Sequence, residues 1–187
     1  ADVAIADISE QGAIAAAERL AKLGVRTMGI AVNATDPESV GKAVATIEER
    51  LGPPNVLINT VGTHIEQPAE QVTEQAWDTV VDVNLKAAFL LSQGAARSMI
   101  AHQAGGSIIH ITSVRSSLGI RRGYAAYCAS KGGLAILIKQ LATEWAKYNI
   151  RVNGIAPTFI RTALVQKYLD DTEFYNNLVN RIPLNRV

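Results

Sequence analysis

Short apolar runs alternate with longer helical patterns along the whole 187-residue sequence, and this alternation limits the possible fold more than any other feature. The apolar runs predict strands at 3–6, 25–32, 56–58, 107–112 and 150–156. Helical patterns lie between them at 9–23, 36–51, 74–102 and 124–148, and two short helices follow within 161–180. Strands separated by such helices run parallel, because each helix returns the chain to the same end of the sheet. The sequence therefore predicts an α/β fold, a doubly wound parallel sheet between two helical layers.

Composition and charge exclude several classes of function. Charged residues make up 19% of the chain, and no linker or repeat interrupts it, so we expect a single domain over residues 1–187. The net charge is +1, and the densest basic spot, Arg121-Arg122, is too small for a nucleic-acid surface. No apolar run approaches the ~18 residues of a membrane span. The single cysteine, Cys128, fits a reducing compartment, so we expect a cytoplasmic protein. The low charge and the short apolar runs predict neither nucleic-acid nor membrane partners.

Polar residues or turns end four of the predicted strands. Asp7, Asn59, Ser113 and the pair Pro157-Thr158 each follow an apolar run. In open α/β sheets, ligands bind outside the carboxyl ends of the strands. The sequence therefore predicts a binding site at this edge of the sheet.

Tyr127 and Lys131 lie four residues apart in a segment with a helical pattern. One helical turn separates them, so a phenol and an ammonium would project from the same helix face. A phenol has a pKa of about 10, and a nearby cation lowers it and makes the group useful in proton transfer. An ordinary pair on a solvated helix has the same spacing, so both interpretations stay open at this point.

Several motifs, met in a fixed order, resemble those of the short-chain dehydrogenase/reductase family, classical type. Asn59–Gly62 reads Asn-Thr-Val-Gly and departs at its two middle positions from the family's Asn-Asn-Ala-Gly. Asp82–Leu85 matches the helix motif that carries an asparagine, and Pro157-Thr158 replaces the commoner Pro-Gly. The remaining matches are Gly106–Ser113, Tyr127-x-x-x-Lys131, Asn149–Pro157 and Thr162. Segments 112–117 and 156–162 favour the gluconate 5-dehydrogenase-like members of the family.

The resemblance implies four catalytic residues. Tyr127 would be the general acid and base, and Lys131 would lower its pKa and bind the nicotinamide ribose. Ser113 would hold the substrate carbonyl, although Thr112, Ser116 and Ser117 are alternative hydroxyls. The backbone of Asn84, in a locally distorted helix, would bind a water that extends a proton relay from Lys131. A satisfied surface amide is the alternative for Asn84.

The cofactor prediction depends on Asp7. A carboxylate at this strand end accepts hydrogen bonds from the adenosine ribose and repels a 2′-phosphate, so we expect NAD(H) in preference to NADP(H). Asp36 resembles the family's adenine-contacting aspartate, and it is also a candidate helix N-cap ahead of Pro37. The resemblance places further cofactor contacts at Asn59, Val61, Gly62, Tyr127, Lys131, Pro157, Ile160 and Thr162.

The three histidines lack metal-ligand spacing, and no metal site is expected. We interpret His110 as a structural residue, whereas His64 could touch substrate or be a packing residue. Tyr124 is expected at the substrate entrance, and Cys128 as a small packing residue.

The resemblance begins at the family's second strand and stops before its last helix and strand. The first strand and its Gly-rich, pyrophosphate-binding turn lie outside the sequence, so we expect 187 residues to be part of a longer working protein. In the strand order 3-2-1-4-5-6, the sheet would then open at its centre and expose apolar edges.

The sequence thus predicts an NAD(H)-dependent enzyme that interconverts a secondary alcohol and a ketone, with a sugar acid or polyol as the favoured substrate. The alternatives are a 3-oxoacyl-thioester reductase and a catalytically silent dinucleotide-binding protein. The protein is expected to form a homotetramer or dimer in which the helices at 74–102 and 124–148 pack against copies of themselves. Four arginines are expected near the cleft: Arg115, Arg121, Arg122 and Arg161. One of them would pair with a substrate carboxylate, or all four would form a solvated rim.

Overall fold

The strands run parallel and form two sheets. A computed structural model describes the backbone of residues 1–187 and all side chains except those of residues 163, 164 and 167. The first sheet has two strands and the second has three, in the order β3-β4-β5. The strands are β1 (Val3–Asp7), β2 (Thr27–Ala31), β3 (Val56–Asn59), β4 (Gly106–Ile111) and β5 (Ile150–Ile155).

Helices connect the strands and pack on them, which confirms the predicted α/β class. The first helix packs on both strands of the first sheet, and the fifth packs on β5. No helix in the part of the chain that the structure describes is long and apolar enough to cross a membrane. The helices are α1 (Glu10–Ala21), α2 (Pro37–Leu51), α3 (Glu74–Val81), α4 (Ala87–Ala101), α5 (Ala125–Trp145), α6 (Ala163–Leu169) and α7 (Thr172–Val179).

The division into two sheets agrees with the opening that the strand order predicts. In the part of the chain that the structure describes, β1 pairs only with β2, and β3 is one edge of the second sheet. On that edge, Val56 is 52% exposed and Ile58 is 61% exposed. Such apolar edges favour pairing with further chain. That all of these elements form one domain stays a prediction.

The helical region predicted over 74–102 is confirmed, with a change of helix type inside it. A π-helical turn, Asp82–Lys86, separates α3 from α4. The Ala87 N–H donates to Asp82 O, five residues back, which is the hydrogen bond that defines a π turn. The local distortion expected around Asn84 is therefore present.

A buried core holds the second sheet against α4 and α5. Met99 and Ile108 are 0% exposed, and Leu134 is 1% exposed. They belong to one apolar cluster with Ile150 and Val152 of β5. Ile108, Ile150 and Val152 belong to the amino-terminal halves of β4 and β5, so the core holds the beginnings of both strands against the helices, and the polar residues follow at the other ends.

Local capping sets where the first helices begin. Asp36 accepts a hydrogen bond from Glu38 N at 3.0 Å, so its predicted N-cap role is confirmed, and Pro37 is the first residue of α2. Ser9 caps α1 in the same way through Gly12 N, at 3.2 Å.

We expect Gly29→Ala to destabilise the protein by about 3 kcal/mol, because α1 crosses β2 too closely for a methyl group. A Cβ on Gly29 would lie 2.6 Å from Ala13 C and from Ile14 Cα, which are backbone atoms. Gly41→Ala in α2 is the matched control, since its Cβ would meet nothing within 4 Å. That change should stabilise by about 1 kcal/mol through helix propensity. Urea unfolding measures both, and equal midpoints would contradict the close approach.

Candidate functional site

The buried amide of Asn84 joins three segments of the chain. Asn84 belongs to the π turn, and it is 0% exposed. The amide oxygen accepts from Thr63 N at 2.7 Å, and the amide nitrogen donates to Thr63 O at 3.0 Å and to Ser130 Oγ at 3.0 Å. The surface-amide alternative is therefore wrong. Asn84 fixes the loop after β3 against the start of α5.

Lys131 is held inside the protein at the same junction. The residue is 4% exposed, and its ammonium donates to Ile111 O, the last residue of β4, at 3.0 Å. Burial lowers the pKa of Lys131, because an ammonium loses hydration there. A Cβ on Gly62 would lie 3.4 Å from Lys131 Nζ and from Asn84 Oδ1, so the glycine leaves space beside both groups.

Tyr127 and Lys131 lie on one face of α5, as their spacing predicts. The ammonium is 5.8 Å from the centroid of the Tyr127 ring. The Ser130 hydroxyl donates to Tyr127 O at 2.8 Å and accepts from Asn84, which connects the tyrosine backbone to the π turn. The Tyr127 ring also meets His64 edge-on, with 5.2 Å between ring centroids.

Ser113 follows β4 and caps a short 3₁₀ turn, Val114–Ser116. Its hydroxyl accepts from Arg115 N at 3.1 Å, and the residue is 8% exposed. The 3₁₀ turn packs on α5, and Lys131 binds the strand residue two positions before Ser113. The alternative hydroxyl of Thr112 donates to Ile155 O at 3.0 Å and so joins β4 to β5. This placement favours Ser113 over Thr112 as a substrate-facing group.

A chain of hydrogen bonds beneath the site was missed from the sequence. Asn59 Oδ1 accepts from Val61 N at 3.0 Å, and Asn59 Nδ2 lies 3.1 Å from His110 Nδ1. His110 Nε2 lies 2.9 Å from Ser92 Oγ. The Ser92 hydroxyl donates a hydrogen bond to Ala88 O, with 2.7 Å between the two oxygens. Since Ser92 donates to that carbonyl, it accepts from Nε2, and Nδ1 accepts from Asn59. The strand register, which sets Asn59 opposite His110, creates this chain.

Burial keeps the His110 imidazole neutral. The residue is 0% exposed, and burial lowers its pKa to about 4, with a smaller contribution from the positive charge of Lys131. The structural interpretation of His110 is therefore correct in part. It also orients Asn59, which holds the start of the loop that carries Val61 and Gly62.

Two loops are joined to each other beside Tyr127. Gln67 N donates to Gly123 O at 3.2 Å, and Arg122 pairs with Glu66 through two bonds of 2.9 and 2.8 Å. The Arg122 guanidinium also lies 5.9 Å from the Tyr124 ring and 5.2 Å from the Tyr168 ring of α6. Arg122 is therefore engaged in holding three segments together. Of the other predicted arginines, Arg115 donates to Gly119 O at 3.0 Å.

The remaining predicted cofactor residues lie at the strand ends. Asp7 is exposed at the end of β1 and accepts from Ser9 N at 2.8 Å. Pro157 O accepts from Val114 N at 3.0 Å, which links the end of β5 to the turn after Ser113. Ile160 is 55% exposed, and Thr162 is the exposed N-cap residue of α6. Among the described side chains, no hydrogen bond or ion pair joins Asp7, Ile160 or Thr162 to Tyr127.

Comparison with known proteins gives one family and a consistent group of relatives. A short-chain dehydrogenase model described as Enoyl-(Acyl carrier protein) reductase matches residues 1–187. The 5-keto-D-gluconate 5-reductase of Escherichia coli (strain K12) is 36% identical over 186 residues, covering 100% of this chain and 72% of that protein. The NAD-dependent glycerol dehydrogenase of Listeria innocua is 39% identical over 142 residues, covering 76% of this chain and 55% of that protein.

A solved structure agrees with these relatives. The gluconate 5-dehydrogenase from Burkholderia cenocepacia J2315, crystallised in complex with NADP and tartrate, superposes with a TM-score of 0.90 at 33% identity. The match covers 98% of this chain and 71% of that one. The matched segments therefore cover 55% to 72% of the length of these three proteins.

We expect the stability that depends on His110 to fall as the pH drops from about 6.5 to about 4. In that range the unfolded imidazole binds a proton that the folded protein excludes, so the free energy of unfolding decreases, by about 3 kcal/mol in total. His110→Asn retains a polar side chain but does not titrate. Urea unfolding at pH 7, 5.5 and 4 should show wild type losing more stability than the variant. Parallel losses would contradict a neutral buried imidazole.

Proposed function

The chain belongs to the short-chain dehydrogenase/reductase family of oxidoreductases, and we propose that Tyr127 is the general acid and base in its interconversion of a secondary alcohol and a ketone. One observation carries this proposal. A buried lysine and a half-buried tyrosine share a helix face, and the buried Asn84 fixes that helix against the loop after β3. Ser113 begins the turn that packs on the same helix.

The proton chemistry follows from these placements. As a ketone is reduced, the Tyr127 phenol donates its proton to the carbonyl oxygen, and the reverse transfer occurs when an alcohol is oxidised. The ammonium of Lys131, 5.8 Å from the ring centroid, stabilises negative charge on the phenol oxygen. Ser113 donates a hydrogen bond to the substrate oxygen and orients it towards the tyrosine. The π-turn backbone at Asn84 binds the water that returns a proton towards Lys131.

The residues present fit a nicotinamide dinucleotide. Asp7 supplies an exposed carboxylate at a strand end, where ribose hydroxyls need an acceptor. Gly62 leaves open the approach to Lys131 Nζ, which a Cβ would narrow. When bound, the nicotinamide supplies or accepts the hydride. The residues that would hold the cofactor are Asp7, Asp36, Asn59, Val61, Gly62, Tyr127, Lys131, Pro157, Ile160 and Thr162.

NAD(H) is the proposed cofactor, in preference to NADP(H). The Asp7 carboxylate is exposed and would repel a 2′-phosphate. Among the relatives, the Listeria glycerol dehydrogenase is named NAD-dependent, whereas the Burkholderia enzyme was crystallised with NADP. The relatives thus differ, and the preference for this chain depends on Asp7.

The proposed substrate class is a sugar acid or polyol. The names of the Escherichia coli, Listeria and Burkholderia relatives refer to gluconate derivatives or glycerol, and these proteins are similar along most of this chain. A 3-oxoacyl thioester is the alternative. The description of the family model supports it only through the acyl-carrier thioester, because an enoyl reductase acts on a carbon–carbon double bond and not on a ketone. Reduction of 5-keto-D-gluconate and of acetoacetyl-coenzyme A in parallel assays distinguishes the two.

We also propose that residues 1–187 belong to one domain of a cytoplasmic protein that forms a homodimer or tetramer. An apolar groove between α3, α4 and α5 supports the association. Phe89 and Leu137 line it beside Ile136, which is 63% exposed. Such a surface on two long helices suits a symmetric helix–helix interface. The free Cys128 supports a reducing compartment.

We expect Tyr127→Phe to lower kcat on any accepted substrate by at least ~10²-fold, because the proton donor is lost while the ring remains. Tyr124→Phe is the matched control, since Tyr124 belongs to the same aromatic group, with its ring centroid 5.7 Å from that of Tyr127. Its kcat should stay within about tenfold of wild type. Steady-state absorbance of NADH at saturating substrate measures both. Equal turnover by wild type and Tyr127→Phe would contradict the proposed mechanism.

We expect Asp7→Asn to lower the preference for NADH over NADPH, measured as the ratio of the two kcat/KM values, by about tenfold. The substitution removes the negative charge that repels the 2′-phosphate and retains the amide oxygen as an acceptor. Asp36→Asn is the control, because asparagine also caps helices and the charge change is the same. An unchanged ratio in Asp7→Asn, or an equal change in both variants, would contradict the assignment of Asp7.

A further inference from the structure

We infer that His64 determines substrate specificity by binding a hydroxyl on the carbon next to the reacting carbon of a vicinal diol. This inference rests on the proposed function, since the reacting carbon is defined by Tyr127. It adds a residue that reads the neighbouring hydroxyl and so explains how a polyol differs from a simple alcohol at this site.

The first observation is that both ring nitrogens of His64 lack protein partners. Nδ1 and Nε2 are buried, and neither has a hydrogen-bond partner among the described residues. The only other buried side-chain atom in this condition among those residues is Ser98 Oγ. Leaving a buried polar group unsatisfied costs about 1–3 kcal/mol. Two such atoms on one side chain next to Tyr127 need a hydrogen-bonding partner that the described protein does not supply, and a ligand would provide it.

The second observation is the position of the imidazole beside the proton donor. Its ring centroid is 5.2 Å from that of Tyr127, in an edge-on arrangement, and 4.0 Å from that of Tyr124. A substrate oxygen that meets the Tyr127 phenol therefore brings its neighbouring groups next to His64. Tyr124 closes the other side of the imidazole, which limits its movement.

The third observation is that the chain holds His64 from both sides. The residue before it, Thr63, gives both its backbone N–H and its carbonyl to the buried Asn84. Three residues after it, Gln67 N donates to Gly123 O, and a Cβ on Gly123 would collide with the Gln67 backbone. The Glu66–Arg122 pair adds a further connection between the same loops. A ligand group held this firmly loses little entropy when it binds.

The protonation state suits a hydroxyl. Burial lowers the pKa of His64; the carboxylate of Glu66 raises it and the guanidinium of Arg122 lowers it. At neutral pH the imidazole is therefore uncharged, with one N–H donor and one acceptor nitrogen. A hydroxyl both donates and accepts, whereas a carboxylate only accepts. The charge of Arg122 is already balanced by Glu66, so the nearest cation does not favour a carboxylate over a hydroxyl at this point.

A minimal substrate pair tests the inference. 2,3-Butanediol and 2-butanol have the same carbon chain and differ by the hydroxyl next to the reacting one. Wild type should show at least ~10-fold higher kcat/KM for the diol. His64→Phe keeps an aromatic ring against both tyrosines and removes both nitrogens. It should lower kcat/KM for the diol by about 10–100-fold and leave 2-butanol within about threefold, so that the preference disappears.

A second variant distinguishes the loss of hydrogen bonding from a loss of folding. His64→Gln retains a donor and an acceptor without the ring, and it should restore part of the preference for the diol. A matching circular dichroism spectrum shows that each variant is folded. Equal losses on both alcohols in His64→Phe, or an unchanged preference, would overturn the inference, because either result indicates a packing role.

The two hypotheses fail in distinguishable ways. If wild type oxidised none of 2,3-butanediol, 2-butanol, glycerol and D-gluconate, the proposed function would fail. His64 is then tested by binding alone, using saturation-transfer NMR of 2,3-butanediol with wild type and His64→Phe. Binding that is lost in the variant supports the inference, and equal binding or none to wild type overturns it.

Discussion

The buried amide of Asn84 is the interaction on which the candidate site depends. Its three hydrogen bonds join the π turn to the loop after β3 and to the start of α5. Without them, Thr63 would be free to move away from α5, and both His64 and Gly62 would lose their positions beside Tyr127 and Lys131. A buried amide with all its partners is strongly directional, whereas apolar contacts alone would let the loop slide. The geometry of proton transfer and of substrate recognition thus depends on one side chain.

The fold could be predicted from the sequence because periodicity and capping are local signals. The strands, the helices and the Asp36 cap follow from residues near one another in the chain. The chain of hydrogen bonds from Asn59 through His110 to Ser92 was missed. It depends on strand register and on the packing of α4, and residues distant in sequence determine both. The burial of Lys131 was missed for the same reason. The Tyr127 and Lys131 spacing shows which groups share a helix face, but not the carbonyl that holds the ammonium.

Lys131 also shows how the site balances its charges. Among the described side chains, it is the only buried lysine, arginine, aspartate or glutamate. Its ammonium donates a hydrogen bond to a backbone carbonyl at the end of β4. A carboxylate in its place would neutralise the ammonium and weaken its effect on a nearby phenol. A carbonyl offsets part of the desolvation cost and leaves the positive charge acting outward. Neutral His110 beneath it adds no competing charge. The second sheet therefore supplies a site with one fixed positive centre.

The π turn makes the helix from Glu74 to Ala101 sensitive to chain length. A π turn has one more residue than the α-helical turn it replaces, and each helical residue rotates the side-chain direction by about 100°. If one residue were deleted between Val81 and Ala87, the segment could close into a regular helix. The amide that now faces Thr63 would then point to a different side of that helix, or the packing of α4 on the second sheet would shift instead. Insertions and deletions that surface loops tolerate are thus excluded from this segment, although its sequence looks like that of an ordinary helix.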